Sequence, residues 1–259
     1  MKSIYFYLLA SFLVLSLSIN TLGQESSNQN LLSPPTISIE YGLGNYSVKD
    51  EYISKEKYSG SLPFYKISWI NPQQNYIYHF SLDYGYSSEI KNYNVSADIH
   101  QFTLNQGFSY TLPSFSLFDK DVYTYLGPST EIFFYYNKQN IAVSGFDYSQ
   151  SIVALISAGI TSQLYYKLRA DLNIEGSLDF SVLSLGIRSV DTEESDETPA
   201  KILTLISGTN LNFKIGPRYY LLDNLSIKAA YLFHLTRISS WEPLLSASDN
   251  VVLTLAYGF

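Results

Sequence analysis

The chain has 259 residues, no cysteine and a formal charge of −7. The acidic balance argues against a nucleic-acid partner, and the missing cysteine rules out thiol catalysis, disulfides and cysteine-ligated metal. A mean hydropathy near zero, with 24 Tyr and 15 Phe, is not the composition of a bundle of apolar membrane helices.

At the N-terminus Lys2 is the only charge before an apolar run from Ile4 to Ile19, and Thr21-Leu22-Gly23 then leads into the polar Gln24-Glu25-Ser26-Ser27. A short basic start, an apolar core and small residues before a polar stretch predict a secretory signal over 1–23, cleaved after Gly23. The apolar run falls short of the ~20 residues that a spanning helix needs. Residues 24–35 are polar and end on Pro34-Pro35, which predicts a flexible lead-in to a domain over 36–259.

From Thr36 the chain breaks into segments of period two, the mark of strands with two unlike faces. Ten are expected: Thr36–Tyr46, Leu62–Ile70, Asn75–Tyr86, Asp98–Leu112, Val122–Tyr136, Ser149–Leu164, Ala170–Gly186, Lys201–Tyr220, Leu225–Ile238 and Asn250–Phe259. In the first, Ile37, Ile39, Tyr41 and Leu43 alternate with Ser38, Glu40, Gly42 and Gly44. The third sets Tyr76, Tyr78, Phe80, Leu82, Tyr84 and Tyr86 against His79, Ser81, Asp83 and Gly85. Its apolar rank has Tyr at both ends and Phe and Leu between, as expected where phenol rings meet a lipid–water boundary. In the fifth, Val122, Leu126, Ile132 and Phe134 form the apolar rank, and Gly127-Pro128 predicts a bend or bulge. In the eighth, Leu203 and Leu205 belong to the apolar rank and Thr204 to the polar one.

The connections alternate in length. Long loops are expected over Ser47–Ser61, Ser87–Ala97, Asn137–Asp147 and Arg188–Ala200, and short turns at Asn71–Gln74, Tyr165–Arg169 and Leu222–Asn224. Pro113–Asp121 is long for its place among the short ones.

The last strand places Leu253, Leu255, Tyr257 and Phe259 on one face, ending the sequence on an aromatic. This resembles the C-terminal strand of bacterial outer-membrane β-barrel proteins, small barrels of a Bacteroidetes-like kind, in which a terminal Phe and alternating hydrophobics form the signal read by the barrel-assembly machinery. The resemblance implies an all-β fold, a closed antiparallel up-and-down transmembrane barrel of about ten strands, with eight or twelve as alternatives. It also implies residence in the outer membrane of a Gram-negative bacterium, in contact with lipid and lipopolysaccharide.

The inward parity of such a barrel carries Glu40, Lys66, His79, Asp83, Glu131, Glu175, Asp179, Lys214, Arg218, Lys228 and His234. Buried charges must be paired, and the interior of a small barrel is filled by side chains. The first reading is therefore a polar network closing the lumen of a barrel with a structural or surface-interaction role, a protein partner at its external loops being one form of that role. A narrow, porin-like channel for small polar solutes is the second reading. A rim hydrolase of the omptin type is the third, resting on His79, Asp83 and His234, although no Asp-x-His or Asp-x-Asp pair stands at a strand top. No cofactor and no metal site are expected. Asp191, Glu193, Glu194, Asp196 and Glu197 read as a solvated acidic loop or a collector of divalent cations, and Arg188 and Arg237 as strand-end cations that meet lipid phosphates or snorkel.

Overall fold

The computed structural model describes residues 34–73, 75–93, 95–140, 150–189, 200–240 and 242–259. The expected leader, most of the lead-in, the acidic run 191–197 and Trp241 lie outside the described residues. Thirteen strands follow in order: β1 (Thr36–Asp50), β2 (Lys57–Ser61), β3 (Phe64–Pro72), β4 (Tyr76–Asn92), β5 (Val95–Thr111), β6 (Phe115–Leu117), β7 (Lys120–Asn140), β8 (Gln150–Arg169), β9 (Leu172–Ser189), β10 (Ala200–Thr204), β11 (Gly208–Leu222), β12 (Leu225–Ile238) and β13 (Leu244–Gly258).

These strands make ten staves. β2 and β3 form one interrupted stave beside β1, β10 extends the ladder of β9 outward beyond β11, and β6 is a short hairpin arm on β7. All pairings are antiparallel between sequence neighbours, and the ring closes where β1 pairs β13 from Thr36 opposite Gly258 to Asp50 opposite Leu244. Closure leaves no sheet edge along the ring, which a structure immersed in hydrocarbon requires. The fold is an up-and-down β-barrel.

In the half of the barrel nearest the termini the apolar parity faces out. Ile37, Ile39, Leu43, Tyr65, Ile67, Val251, Leu253, Leu255, Tyr257 and Phe259 are all exposed, while Ser38, Glu40, Ser68, Ser81, Thr103, Asn105 and Thr254 are buried on the other face. In the far half the polarity inverts. On β5 the outward rank changes from Tyr110, Phe108, Leu104 and Phe102 to His100, Asp98 and Ser96; the inward rank changes from Ser109, Asn105, Thr103 and Gln101 to the buried Ile99 and Ala97. β1 does the same, with Asn45, Ser47 and Lys49 outside and Tyr46 and Val48 fully buried inside. A barrel leaving a membrane enters water, and the hydrophobic effect then drives the same staves to put their apolar side chains in the centre.

That inversion explains the first of several departures from expectation. Ser47–Ser61 and Ser87–Ala97 are largely strand, because the outward hydrophobics end where the membrane part does while the ladder continues to Asp50 and Asn92. The turn expected at Tyr165–Arg169 lies instead at Ala170–Asp171, since β8 runs on to Arg169. Lys201–Tyr220 is broken by a turn in which the Ser207 amide donates to the Thr204 carbonyl at 2.9 Å, so Leu203 is fully buried and Thr204 exposed, the reverse of their expected sides. Val122, expected on the exposed rank, is buried where β7 is flanked by Phe115 of β6 and Tyr166 of β8. At Gly127-Pro128, the expected site of a bend or bulge, the pairing of β7 to β8 is continuous, and the pairing with β5 lapses only at Gly127 and Pro128 and resumes in the same register, from Gly107 opposite Ser129 to Tyr110 opposite Leu126. A Cβ at Gly127 would overlap the Phe108 carbonyl, so the strands approach there as only glycine permits.

Candidate functional site

The interior divides along the barrel axis into three parts. Nearest the termini is a group of ion pairs that cross the lumen. Glu40 on β1 accepts from Lys214 Nζ at 2.7 Å although β12 and β13 stand between their strands in the ring. Glu175 on β9 takes Arg218 Nε at 2.7 Å on one oxygen and Lys228 Nζ at 3.2 Å on the other. Both clusters are nearly excluded from solvent, with side-chain exposures between 7% and 14%. Lys66, opposite Glu40 in the ladder, instead has its Nζ 4.0 Å from Asp83. Each of these charges has an opposite partner, as low-dielectric burial demands.

The middle is a polar chamber of about 80 Å³, lined among others by Lys66, Asp83, Glu131, Asp179, Lys214 and His234. Glu131 is held by the Nδ2 groups of Asn210 and Asn212, and Asn210 Oδ1 in turn accepts from Thr236 Oγ1 at 2.9 Å and lies 2.7 Å from His234 Nε2. His79 is held elsewhere, its Nδ1 3.3 Å from Gln163 Nε2. His234 and Asp83 therefore share the chamber lining, while His79 is engaged outside it. Among the described residues, Asn105 and Asp179, both lining the chamber, each have one buried oxygen without a hydrogen-bond partner. Among the described residues no group of three or more His, Asp or Glu side chains is placed to hold a metal ion.

The far half is a dry stopper. Tyr46, Val48, Tyr58, Leu62, Ile90, Ala97, Ile99, Phe133, Tyr135, Val153, Leu155, Leu203, Ile238 and Leu244 form one buried apolar cluster inside the ring. The sequence signal for it was the loss of alternation in Ile132–Tyr136 and Ile152–Ile156, where both parities are apolar. Within this half Arg188 is fully buried, which corrects its reading as a lipid-facing cation. Its guanidinium pairs with Asp50, donates to Ser151 Oγ at 3.2 Å and to the Glu242 carbonyl at 2.5 Å, and lies 5.0 Å from the Tyr52 ring centroid. The cause is a bulge: Ala158 pairs Leu183 and Gly159 pairs Ser181, leaving Val182 extra, so every later side chain of β9 changes face. Arg237 lies on the outward rank and is exposed.

No family model matches the chain, and no curated protein matches it by sequence. Among solved structures it is similar to the outer membrane protease OmpT from Escherichia coli, with a TM-score of 0.52, 9% identity, and coverage of 90% of this chain and 100% of that one. The translocator domain of the autotransporter NalP from Neisseria meningitidis matches at a TM-score of 0.44 and 12% identity over 100% and 98% of the two chains. Ail, the attachment invasion locus protein of Yersinia pestis, matches at 0.32 and 9% over 87% and 100%. At such identities the likeness is one of fold, and the fold is that of an outer-membrane β-barrel.

Proposed function

We propose that the protein is an integral outer-membrane barrel of a Gram-negative bacterium that works as a closed scaffold, presenting its outward strand extensions and loops to a partner at the cell surface. The observation that supports this most directly is the stopper: fourteen buried apolar side chains fill the ring between the polar chamber and the far rim. Beneath it the crossing ion pairs Glu40–Lys214 and Arg218–Glu175–Lys228 narrow the lumen further. Lipid and lipopolysaccharide are then the surroundings of the outward apolar belt, and the barrel-assembly machinery is the reader of Leu253, Leu255, Tyr257 and Phe259.

A narrow solute channel is the alternative that the polar chamber favours, and a rim hydrolase is the one suggested by the likeness to a protease fold. Against the hydrolase speaks the interior of the far half, which offers Tyr, Phe, Ile and Leu with the engaged Arg188–Asp50 pair where acid–base groups would have to meet substrate. The test is conductance of the refolded chain in planar bilayers. The scaffold reading expects silence, and discrete, reproducible openings overturn it in favour of the channel.

A further inference from the structure

At the end of the barrel that carries Thr36 and Phe259, three connections are tight: Gln73–Asn75, Ala170–Asp171 and Asp223–Asn224. The fourth is a structured arm, in which β6 pairs back on β7 with Phe115 opposite Val122 and Leu117 opposite Lys120. Its tip residues Phe118 and Asp119 have φ of 50° and 60°, a left-handed conformation that bulky side chains rarely adopt. Phe118 is nonetheless 83% exposed, with Phe115 and Leu117 also exposed beside it. An aromatic in a strained turn, with its ring outside the protein, gains nothing from the fold that presents it.

The arm is also held in place. Tyr166 OH donates to the Leu117 carbonyl at 3.3 Å, Lys120 Nζ donates to the Leu168 carbonyl, and Ser116 Oγ donates to Asp121 Oδ1 at 3.3 Å. Through the register, Phe115 and Leu117 share the face of Val122 and Lys120, which is the parity of the outward Leu126. They continue the exposed rank of Tyr110 and Leu112 at the inner end of β5.

We propose that this arm is an interfacial anchor whose partner is the headgroup–acyl boundary of the inner, periplasmic-side leaflet, with Phe118, Phe115 and Leu117 seated in lipid. The proposal rests on the reading of the barrel as membrane-embedded. Its occupant is argued from continuity: the arm extends the lipid-facing belt sideways at the level where that belt ends, and exposed aromatics are favoured at such a boundary.

The chain has no cysteine, so one nitroxide label can be placed at a time. Phe118→Cys, Ile67→Cys in the outward belt and Tyr93→Cys at the opposite rim are labelled in the full barrel refolded into phosphatidylcholine–phosphatidylethanolamine vesicles. All three side chains are exposed, at 83%, 56% and 96%, and Leu117→Cys replaces Phe118→Cys if the latter fails to give the fast-migrating unboiled band. Collision with oxygen, which concentrates in lipid, is compared with collision with a neutral nickel complex, which stays in water. The anchor is supported if position 118 resembles position 67, oxygen outweighing nickel severalfold. A water-like position 118 beside a lipid-like position 67 overturns the anchor and leaves the membrane reading standing; a water-like position 67 overturns both.

Discussion

Arg188 shows how one residue's role turns on its surroundings. A guanidinium sealed among apolar side chains is tolerated because Asp50, Ser151 and the Glu242 carbonyl accept its hydrogen bonds. Removing one partner of such a pair costs about 3–5 kcal/mol, whereas replacing both by apolar groups is often neutral. Asp50→Ala is therefore expected to lower sharply the temperature at which the fast-migrating barrel band is lost, and the double variant Asp50→Leu with Arg188→Met is expected to recover most of that loss. Lys49→Ala, which breaks the neighbouring Lys49–Glu51 pair, leaves that temperature nearly unchanged, because its partners are 41% and 29% exposed and such pairs are worth about 0–1 kcal/mol. The identity of inward charges such as Glu40, Glu175, Lys214 and Lys228 was legible from parity. Glu175 meets Arg218 and Lys228 of the next two staves, as neighbouring strands allow, but the partner of Glu40 was not legible, because it reaches past two staves to Lys214 rather than across the ladder to Lys66.

At the scale of the strand, the decisive feature is the extra residue in β9. Deleting Val182 is expected to restore regular pairing with β8 and to leave Ser184, Gly186 and Arg188 facing inward, because Leu183 already stands opposite Ala158 and would then follow Ser181 directly. Arg188 keeps its buried partners, and Leu203, opposite Ser184 on β10, stays in the apolar cluster. The expected result is a barrel whose fast-migrating unboiled band is lost at nearly the native temperature. If that temperature falls sharply, as for Asp50→Ala, the extra residue itself is needed to hold the facing of β9. A bulge of one residue leaves almost no mark on a sequence in which Leu183 and Leu185 keep up an apolar run. The strand that the sequence placed best is β12, with its expected bounds Leu225–Ile238; β1, β4, β5 and β13 each run on past their expected far ends, to Asp50, Asn92, Val95 and Leu244, where the polarity of the two faces has changed.

For the whole molecule the inversion of polarity along one axis is the central fact. The half near the termini is apolar outside and polar within; the far half is polar outside and apolar within, its interior side chains gathered in one buried cluster. Truncating the stopper with Tyr46→Ala, Phe133→Ala and Tyr135→Ala together is expected to give measurable single-channel openings in planar bilayers where the native chain is silent, while the charged inner pairs remain. If the triple variant folds and stays silent, the inner ion pairs rather than the stopper close the barrel. The sequence by itself determined the all-β class, the ten staves, their order and, in the half near the termini, which parity faces outward, because period-two alternation and turn chemistry act over a few neighbouring residues. Only the tertiary structure decided that the apolar interior of the far half gathers into one cluster, that Arg188 lies within that half and that Glu40 pairs with Lys214. Each of these depends on which distant strands the closed ring brings face to face; a local pattern such as the apolar runs Ile132–Tyr136 and Ile152–Ile156 marks a buried segment without naming the strands it meets.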